Sequence, residues 1–300
     1  MSSKFHVIPA SALVLTTLGV LVGCQPSTDL GPVPSQAAAE KIREQLSGDS
    51  EGGGGGEAAE VGTGWATLKG RFTFEGQAPE MPAYNVTSDQ ATCASGGAPK
   101  QETIVVGSDG GLANVVLFLR KASRVHESAQ APEEPLVFDQ KQCVFLTHVF
   151  TVPVGQPLQI KNSDPVGHNT KIDGKNGFNR TIPAGESVSF TPKKAEAKPA
   201  SVACSIHPWM SAWMMPHDNG YAVVTKPDGS FELPNLPAGE TLEIQVWHES
   251  SAGSNGGLVV NSDQAKELKW DKKGRFKIKL TEDETKELNV AVPASAFSGG

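Results

Sequence analysis

Beyond Trp65 the chain places apolar and polar positions in short runs separated by Gly, Pro, Asn and Asp. ATLKGRFTF (66–74), ANVVLFLR (113–120), LQIKN (158–162), ASVAC (200–204), LEIQVW (242–247), RFKIKL (275–280) and ELNVAV (287–292) either alternate with a period of two or are apolar almost throughout. ETIVV, HVFTV, ESVSF, GYAVV and GSFEL add further short β-rich runs. A period of two turns successive side chains to opposite faces of a strand, so each run reads as a strand with one face to bury. No long stretch keeps the 3.6-residue period of an amphipathic helix, and no repeat of fixed period is evident. Many short strands at this spacing predict an all-β chain built as one sandwich, or two.

The pattern before Trp65 is different in kind. MSSKFHVIPASALVLTTLGVLVGC carries one lysine, then an apolar run, then small residues and a cysteine. This is the order of a secretion signal, and the run is too short and too interrupted by Ser and Thr for a membrane span. Leu21-Val22-Gly23-Cys24 resembles the lipobox of bacterial lipoproteins, which makes Cys24 the expected lipidation site and residues 1–23 a removed signal peptide. An ordinary signal peptide with a chance cysteine is the plainer alternative. By the same resemblance, Gln25 rather than Asp after the cysteine directs the protein to the outer membrane, facing the periplasm. From 24 to about 63 the residues are Pro, Ser, Ala, Glu and Gly, with GGGGG at 52–56, and too few are apolar to form a core. That composition predicts a flexible tether. AAAEKIREQL (37–46) is long enough for a short helix only, and GDSEG (48–52) matches a nucleophile-elbow pattern without the strand that pattern needs.

Charge narrows the partners. The net charge of the 300 residues is −7, and losing residues 1–23 removes one lysine and brings it to −8. An acidic protein is a poor match for nucleic acid or an anionic lipid surface. A basic redox protein is compatible with it. After Cys24 the cysteines are Cys93, Cys143 and Cys204, and thiols outside the cytosol tend to pair.

The densest chemistry is CSIHPWM (204–210), with a thiol, an imidazole and a thioether in seven positions. These are soft to intermediate ligands, the set that suits copper. Two His and one Cys in a plane, with a weak axial Met, make a blue-copper site, and His168 in IKNSDPVGHNT offers the second imidazole at the end of a strand. The candidate metal ligands are therefore His168, Cys204, His207 and Met210. A chance Cys-x-x-His, with Cys204 a plain buried thiol or a disulfide partner, is the plainer reading. Zinc is disfavoured because Met is a poor zinc ligand, and no C-x-x-C-H exists for haem.

The segment CSIHPWM resembles the copper loop of the cupredoxins, the blue copper family, in its amicyanin and plastocyanin-like branch. His168-Asn169 resembles the first ligand of that family and the residue after it. The resemblance spans roughly 143–225 and implies a Greek-key sandwich, one type 1 copper, and a bracing role for Asn169 through hydrogen bonds to the copper loop. With Cys204 given to copper by that resemblance, Cys93 and Cys143 are expected to form a disulfide, or either remains a buried free thiol. The pair would close a fifty-residue loop and stabilise the fold by about 3 to 4 kcal/mol.

VTKPDGSFELPNLPAGETLEIQVWHE (224–249) resembles carboxypeptidase regulatory-like, transthyretin-like β-sandwich modules, with a structural role implied. ATLKGRFTFEGQAPEMP (66–82) resembles a first strand of such modules, so the two portions are either consecutive, 64–225 and 226–300, or interleaved. Trp209, Trp213, Met214 and Met215 form an apolar docking patch or pack against the next portion. His148, His217 and His248 read as satisfied histidines at strand ends or loops.

The leading expectation is a membrane-tethered carrier of single electrons that works through one copper, passes electrons through the edge of His207, and meets a protein redox partner, a cytochrome or a dehydrogenase. Copper storage or delivery, using the thioethers of MSAWMM, and a metal-free envelope module are the alternatives. An enzyme is not expected: copper oxidases and reductases of the superfamily hold further copper with histidine clusters, and no His-x-His occurs here. Convergence of His148, His217 and His248 in space would reverse that.

Overall fold

The computed structural model describes residues 62–298. The signal segment, Cys24, the helix expected at 37–46 and nearly all of the tether lie outside the described residues. The described chain is all-β, with sixteen strands in four sheets, and among the described residues no helix is long and apolar enough to cross a membrane.

Two sheets share one core. β1 (Trp65–Glu75), β13 (Ser230–Pro237) and β16 (Thr285–Pro293) form a sheet in the order β13-β1-β16. β2 (Val116–Leu119), β12 (Ala222–Val224), β14 (Thr241–Trp247) and β15 (Arg275–Lys279) form the facing sheet in the order β12-β2-β14-β15. Between them are buried Leu68, Phe72, Leu117, Leu119, Phe231, Ile244, Phe276 and Val290. Gly70 sits where β1 meets β16: an added Cβ would lie 1.9 Å from the Leu288 carbonyl oxygen, so only glycine permits that approach.

The other two sheets share a second core. β5 (Val149–Pro153), β11 (Ser211–His217), β10 (Ala200–Ala203), β7 (His168–Ile172) and β8 (Phe178–Ile182) are ordered β5-β11-β10-β7-β8. β4 (Val144–Phe145), β3 (Leu136–Lys141), β6 (Leu158–Asn162) and β9 (Ser187–Phe190) are ordered β4-β3-β6-β9. Phe138, Phe145, Phe150, Ile160, Ile172, Ile182, Val202 and Met214 fill the space between them.

The strand pairing does not divide the chain at residue 225. β1 and β2 pair with strands beyond residue 220, and β3 to β11 form their own sandwich between them in sequence. The reason is visible in β2, which is buried on both faces. Leu117 and Leu119 enter the first core while Val116 and Phe118 enter a third apolar cluster with Val149, Met215 and Trp247, where the sandwiches meet. A strand apolar at every position needs cover on both sides, and β2 has it.

One run behaves differently from its sequence pattern. ETIVV forms no strand: Val106 makes a single bridge to Leu112, and the chain reverses at once through Gly107 and Gly110, the latter at φ +80°. His217, read as lying at a strand end or on a loop, closes β11, SAWMMPH. Pro216 is tolerated because β10 starts opposite Met214, so the missing N–H falls beyond that neighbour.

Candidate metal centre

The loop 204–210 is the connection of a hairpin. β10 and β11 pair antiparallel up to Ala203↔Ser211, so the seven residues between them must turn back on themselves. Cys204 N–H donates to the Met210 carbonyl at 3.3 Å, and Met210 N–H donates to the His207 carbonyl at 2.9 Å. Those two bonds fold Cys204, His207 and Met210 onto one another, and all three are buried.

His168 comes from the neighbouring strand. It opens β7 rather than closing the strand before it, and β7 pairs with β10 through Val202↔Ile172 and Ala203↔Lys171. The side chain of Asn162, at the end of β6, holds the intervening turn. Its amide donates to the carbonyls of Val166 (2.8 Å) and Ile182 (3.0 Å), while its oxygen accepts from Asp164 N–H (3.0 Å). The turn delivers both His168 and the Asp164 carboxylate to the core.

His168 Nδ1 lies 2.9 Å from His207 Nδ1, and Cys204 Sγ lies 4.0 Å from His207 Nδ1. Donor atoms of His168, Cys204 and His207 all fall within 4.8 Å of one another. Met210, 1 % exposed, packs in the same core and lines an adjoining cavity of about 250 Å³ together with Cys93, Trp209 and His148.

Each imidazole has its outer nitrogen on a carboxylate: His168 Nε2 to Asp164 Oδ2 at 2.7 Å, and His207 Nε2 to Asp89 Oδ2 at 2.8 Å. Asp164 also accepts from the backbone N–H groups of Gln142 (2.6 Å) and Cys143 (2.8 Å). An Nε2–H committed to a carboxylate leaves the Nδ1 lone pair facing inward. Two such lone pairs 2.9 Å apart repel unless a cation or a shared proton lies between them, so the donor arrangement fits a metal ion. Burial pushes the pKa of His168 below the ordinary histidine value, further than its hydrogen bond to Asp164 raises it, and the charge of His207 adds to the lowering. A neutral imidazole is the ligating form.

The sulfur of Cys204 accepts two backbone N–H groups, from Asn169 at 3.2 Å and His207 at 3.4 Å. Asn169 Oδ1 accepts from Ser205 N–H (3.3 Å) and Ser205 Oγ–H (3.0 Å), and its amide donates to Asn179 (2.9 Å). Asn169 thus ties β7 to the loop. Cys93 and Cys143 form a disulfide with Cα atoms 5.0 Å apart, and its sulfurs lie within 4.8 Å of a His207 ring nitrogen.

One expectation changes. The edge of His207 was to be exposed for electron exit, yet His207 is 0 % exposed because Asp89 and the chain around it lie over the ring. Of the two readings for Trp213, Met214 and Met215, the packing one fits: the two methionines point to opposite faces of β11, Met214 into the core of this sandwich and Met215 into the contact between sandwiches, where the Trp213 and Trp247 rings lie 5.2 Å apart at a 60° tilt. His148, His217 and His248 form no metal-holding group among the described residues. His148 bonds to Glu249 across the two sandwiches and to the Ser211 carbonyl at 3.1 Å, His217 accepts from Gly220 N–H at 3.1 Å, and His248 from Ser250 N–H at 3.2 Å.

Asp164 and Asp89 were not legible as site residues. Asp164 stands four residues before His168 but carries no distinctive motif, and Asp89 lies 118 residues from the histidine it touches.

No family model matches the chain, and no curated protein is similar to it in sequence. Among solved structures, a copper-containing nitrite reductase from Thermus scotoductus SA-01 is similar at 21% identity and a TM-score of 0.27, over 28% of this chain and 23% of the reductase. The chain therefore spans less than a quarter of that protein's length. Amicyanin from Paracoccus versutus is similar at 17% identity and a TM-score of 0.26, over 34% of this chain and 97% of amicyanin. The P94A amicyanin variant is similar at 18% identity and the same score, over 34% of this chain and 98% of that one.

Proposed function

We propose that this chain holds one copper ion as a type 1 centre, with His168, Cys204, His207 and Met210 as the residues that would hold it, and that it carries single electrons without transforming a substrate. The observation that carries the reading is the convergence of two inward-facing imidazole nitrogens and a thiol sulfur within 4.8 Å, each imidazole backed by a carboxylate. Bound there, copper supplies a one-electron Cu(II)/Cu(I) couple. The protein supplies the rest. Asp164 fixes the His168 ring, Asn169 and His207 N–H groups stabilise the thiolate, and the closed core excludes bulk water, so the ligands need to move little when charge changes.

The same reading places the protein in the cell envelope, held by a lipid on Cys24 at the outer membrane and facing the periplasm, with a protein redox partner such as a cytochrome or a dehydrogenase. The acidic net charge, −8 once residues 1–23 are lost, suits a basic partner face. Storage of several copper ions is less well supported, because Met214 and Met215 are each committed to a separate apolar core.

Titrating the full chain with Cu(II) tests this, followed by visible absorption, electron paramagnetic resonance and metal analysis. One copper per chain with an intense thiolate-to-copper band and narrow hyperfine splitting is the expected result. Several coppers per chain would favour storage, and a colourless, copper-free protein would leave the structural envelope module.

A further inference from the structure

His207 sits in a hairpin loop whose neighbouring residue Ile206 is 41% exposed, and yet His207 itself is 0% exposed. Its cover comes from elsewhere in the chain. Between β1 and β2, both strands of the first sandwich, residues 82–101 leave that sandwich and lie on the second. The excursion is closed at its neck by Tyr84 N–H to the Pro99 carbonyl (2.7 Å) and Gln101 N–H to the Pro82 carbonyl (2.9 Å). It is anchored at its far end by Val86 and Cys93, which are buried in the second core, and by the Cys93–Cys143 disulfide.

Asp89 stands at the tip. Its backbone is left-handed, at φ +47° and ψ +38°, a region Asp tolerates better than most residues. Its carbonyl accepts from Thr92 and Cys93 N–H, both at 2.9 Å, so the strained backbone is held by the turn next to the disulfide. One carboxylate oxygen receives His207 Nε2–H at 2.8 Å while the side chain remains 42% exposed to water.

We infer that Asp89 is a positioning residue for His207: it fixes the ring with Nε2–H outward and Nδ1 inward, and the disulfide-anchored excursion that carries it closes the outer edge of the site. The inference rests on the copper reading only for its consequences at the metal. A carboxylate behind an imidazole makes that ligand more basic and favours the higher-charged metal ion, so its loss weakens Cu(II) binding more than Cu(I) binding and raises the potential. Electron exchange then reaches His207 through the Asp89 segment and not through a bare imidazole edge.

The test compares the full chain with Asp89→Gly, which suits the left-handed backbone but removes the acceptor, and Asp89→Asn, which keeps an acceptor without the charge. In the metal-free protein, proton NMR should show a strongly downfield, slowly exchanging His207 Nε2–H, moved upfield in Asp89→Asn and lost to exchange in Asp89→Gly. With copper added, Cu(II) affinity should fall by about 10- to 100-fold in Asp89→Gly. The midpoint potential should rise, with the thermal midpoint unchanged. A wild-type protein without the downfield proton, or an Asp89→Gly protein with the same proton spectrum and Cu(II) affinity as wild type, overturns the inference. A wild type that shows the proton but takes up no copper removes the copper reading and leaves the Asp89–His207 contact established.

Discussion

In the sandwich of β1, β2 and β12–β16, the core is apolar apart from the hydroxyl of Tyr221, which accepts from His126 N–H at 2.9 Å, and the buried polar side chains beside it bond mainly to backbone: Thr225 to the Leu112 carbonyl and Val115 N–H, and Asn219 to the Leu119 carbonyl. In the sandwich of β3–β11, the core holds two imidazoles, a thiol and a disulfide, ringed by the buried side chains of Asn162, Asp164 and Asn169. Both obey the same alternation along their strands. They differ in what fixes their side chains: close packing with isolated side-chain bonds to backbone in the first, and a connected chain of side-chain hydrogen bonds in the second. A buried polar group is costly unless partnered, so the second sandwich is specified at more individual residues, while the first is set largely by volume and pattern.

The sharpest way to break this comparison is to make one change in each core. Cys204→Ser should abolish the thiolate-to-copper band altogether, read by visible absorption, while Leu117→Ala in the other sandwich should leave the band at its wavelength. The leucine change should instead cost about 2 to 5 kcal/mol in denaturant unfolding, because a fully buried side chain leaves a cavity.

Removing the disulfide tests whether the second sandwich depends on covalent closure. Cys93→Ser with Cys143→Ser opens a loop with a sequence separation of 50 residues and should cost about 4 kcal/mol in urea unfolding. Amide hydrogen exchange should rise most around residues 84–99 and 140–145 and least in β1 and β16.

Acid should strike both sandwiches. His217, at the end of β11, and His248, after β14, are each held by burial at a pKa of about 4, with nearby acidic charge opposing only weakly. Between that value and the ordinary value of 6.5, the unfolded chain binds a proton that the folded chain refuses. Stability therefore falls as pH drops through this window, by on the order of 3 kcal/mol for each histidine. Urea midpoints measured from pH 7 to 4 check this, and His217→Gln and His248→Gln should each flatten part of the slope.

The smallest effect lies between the sandwiches and has the opposite sign. Burial lowers the pKa of His148, but the hydrogen bond and charge of Glu249, with help from Glu102, outweigh it and leave the pKa raised. The charged clamp is thus fully present below pH 6.5 and is lost as pH rises through the raised value. His148→Gln should cost roughly 1 kcal/mol at pH 6 and less at pH 9, in paired unfolding curves.

The strand pattern was enough for the fold class because burial of one face is a local requirement that each run states for itself. It also exposed the loop from Cys204 to Met210 and the His168-Asn169 pair, since ligand chemistry restricts residue types at fixed spacing. It could not supply Asp89 or Asp164: a carboxylate that braces an imidazole needs only proximity, which different turns can provide. Nor could it say that His207 is covered, because the covering residues lie between β1 and β2 of the other sandwich.

From sequence alone, this protein was determined to be all-β, to offer a soft ligand set on one hairpin loop, and to carry three cysteines beyond Cys24 for two roles. The tertiary structure decided which strands share a sheet, since β2 is apolar on both faces and pairing alone tells which cover it receives. It also decided that two carboxylates orient the imidazoles and that the outer edge of the site is shut. Those outcomes depend on long-range contact, between residues 118 apart for Asp89 and His207, and no local preference of the chain encodes such a distance.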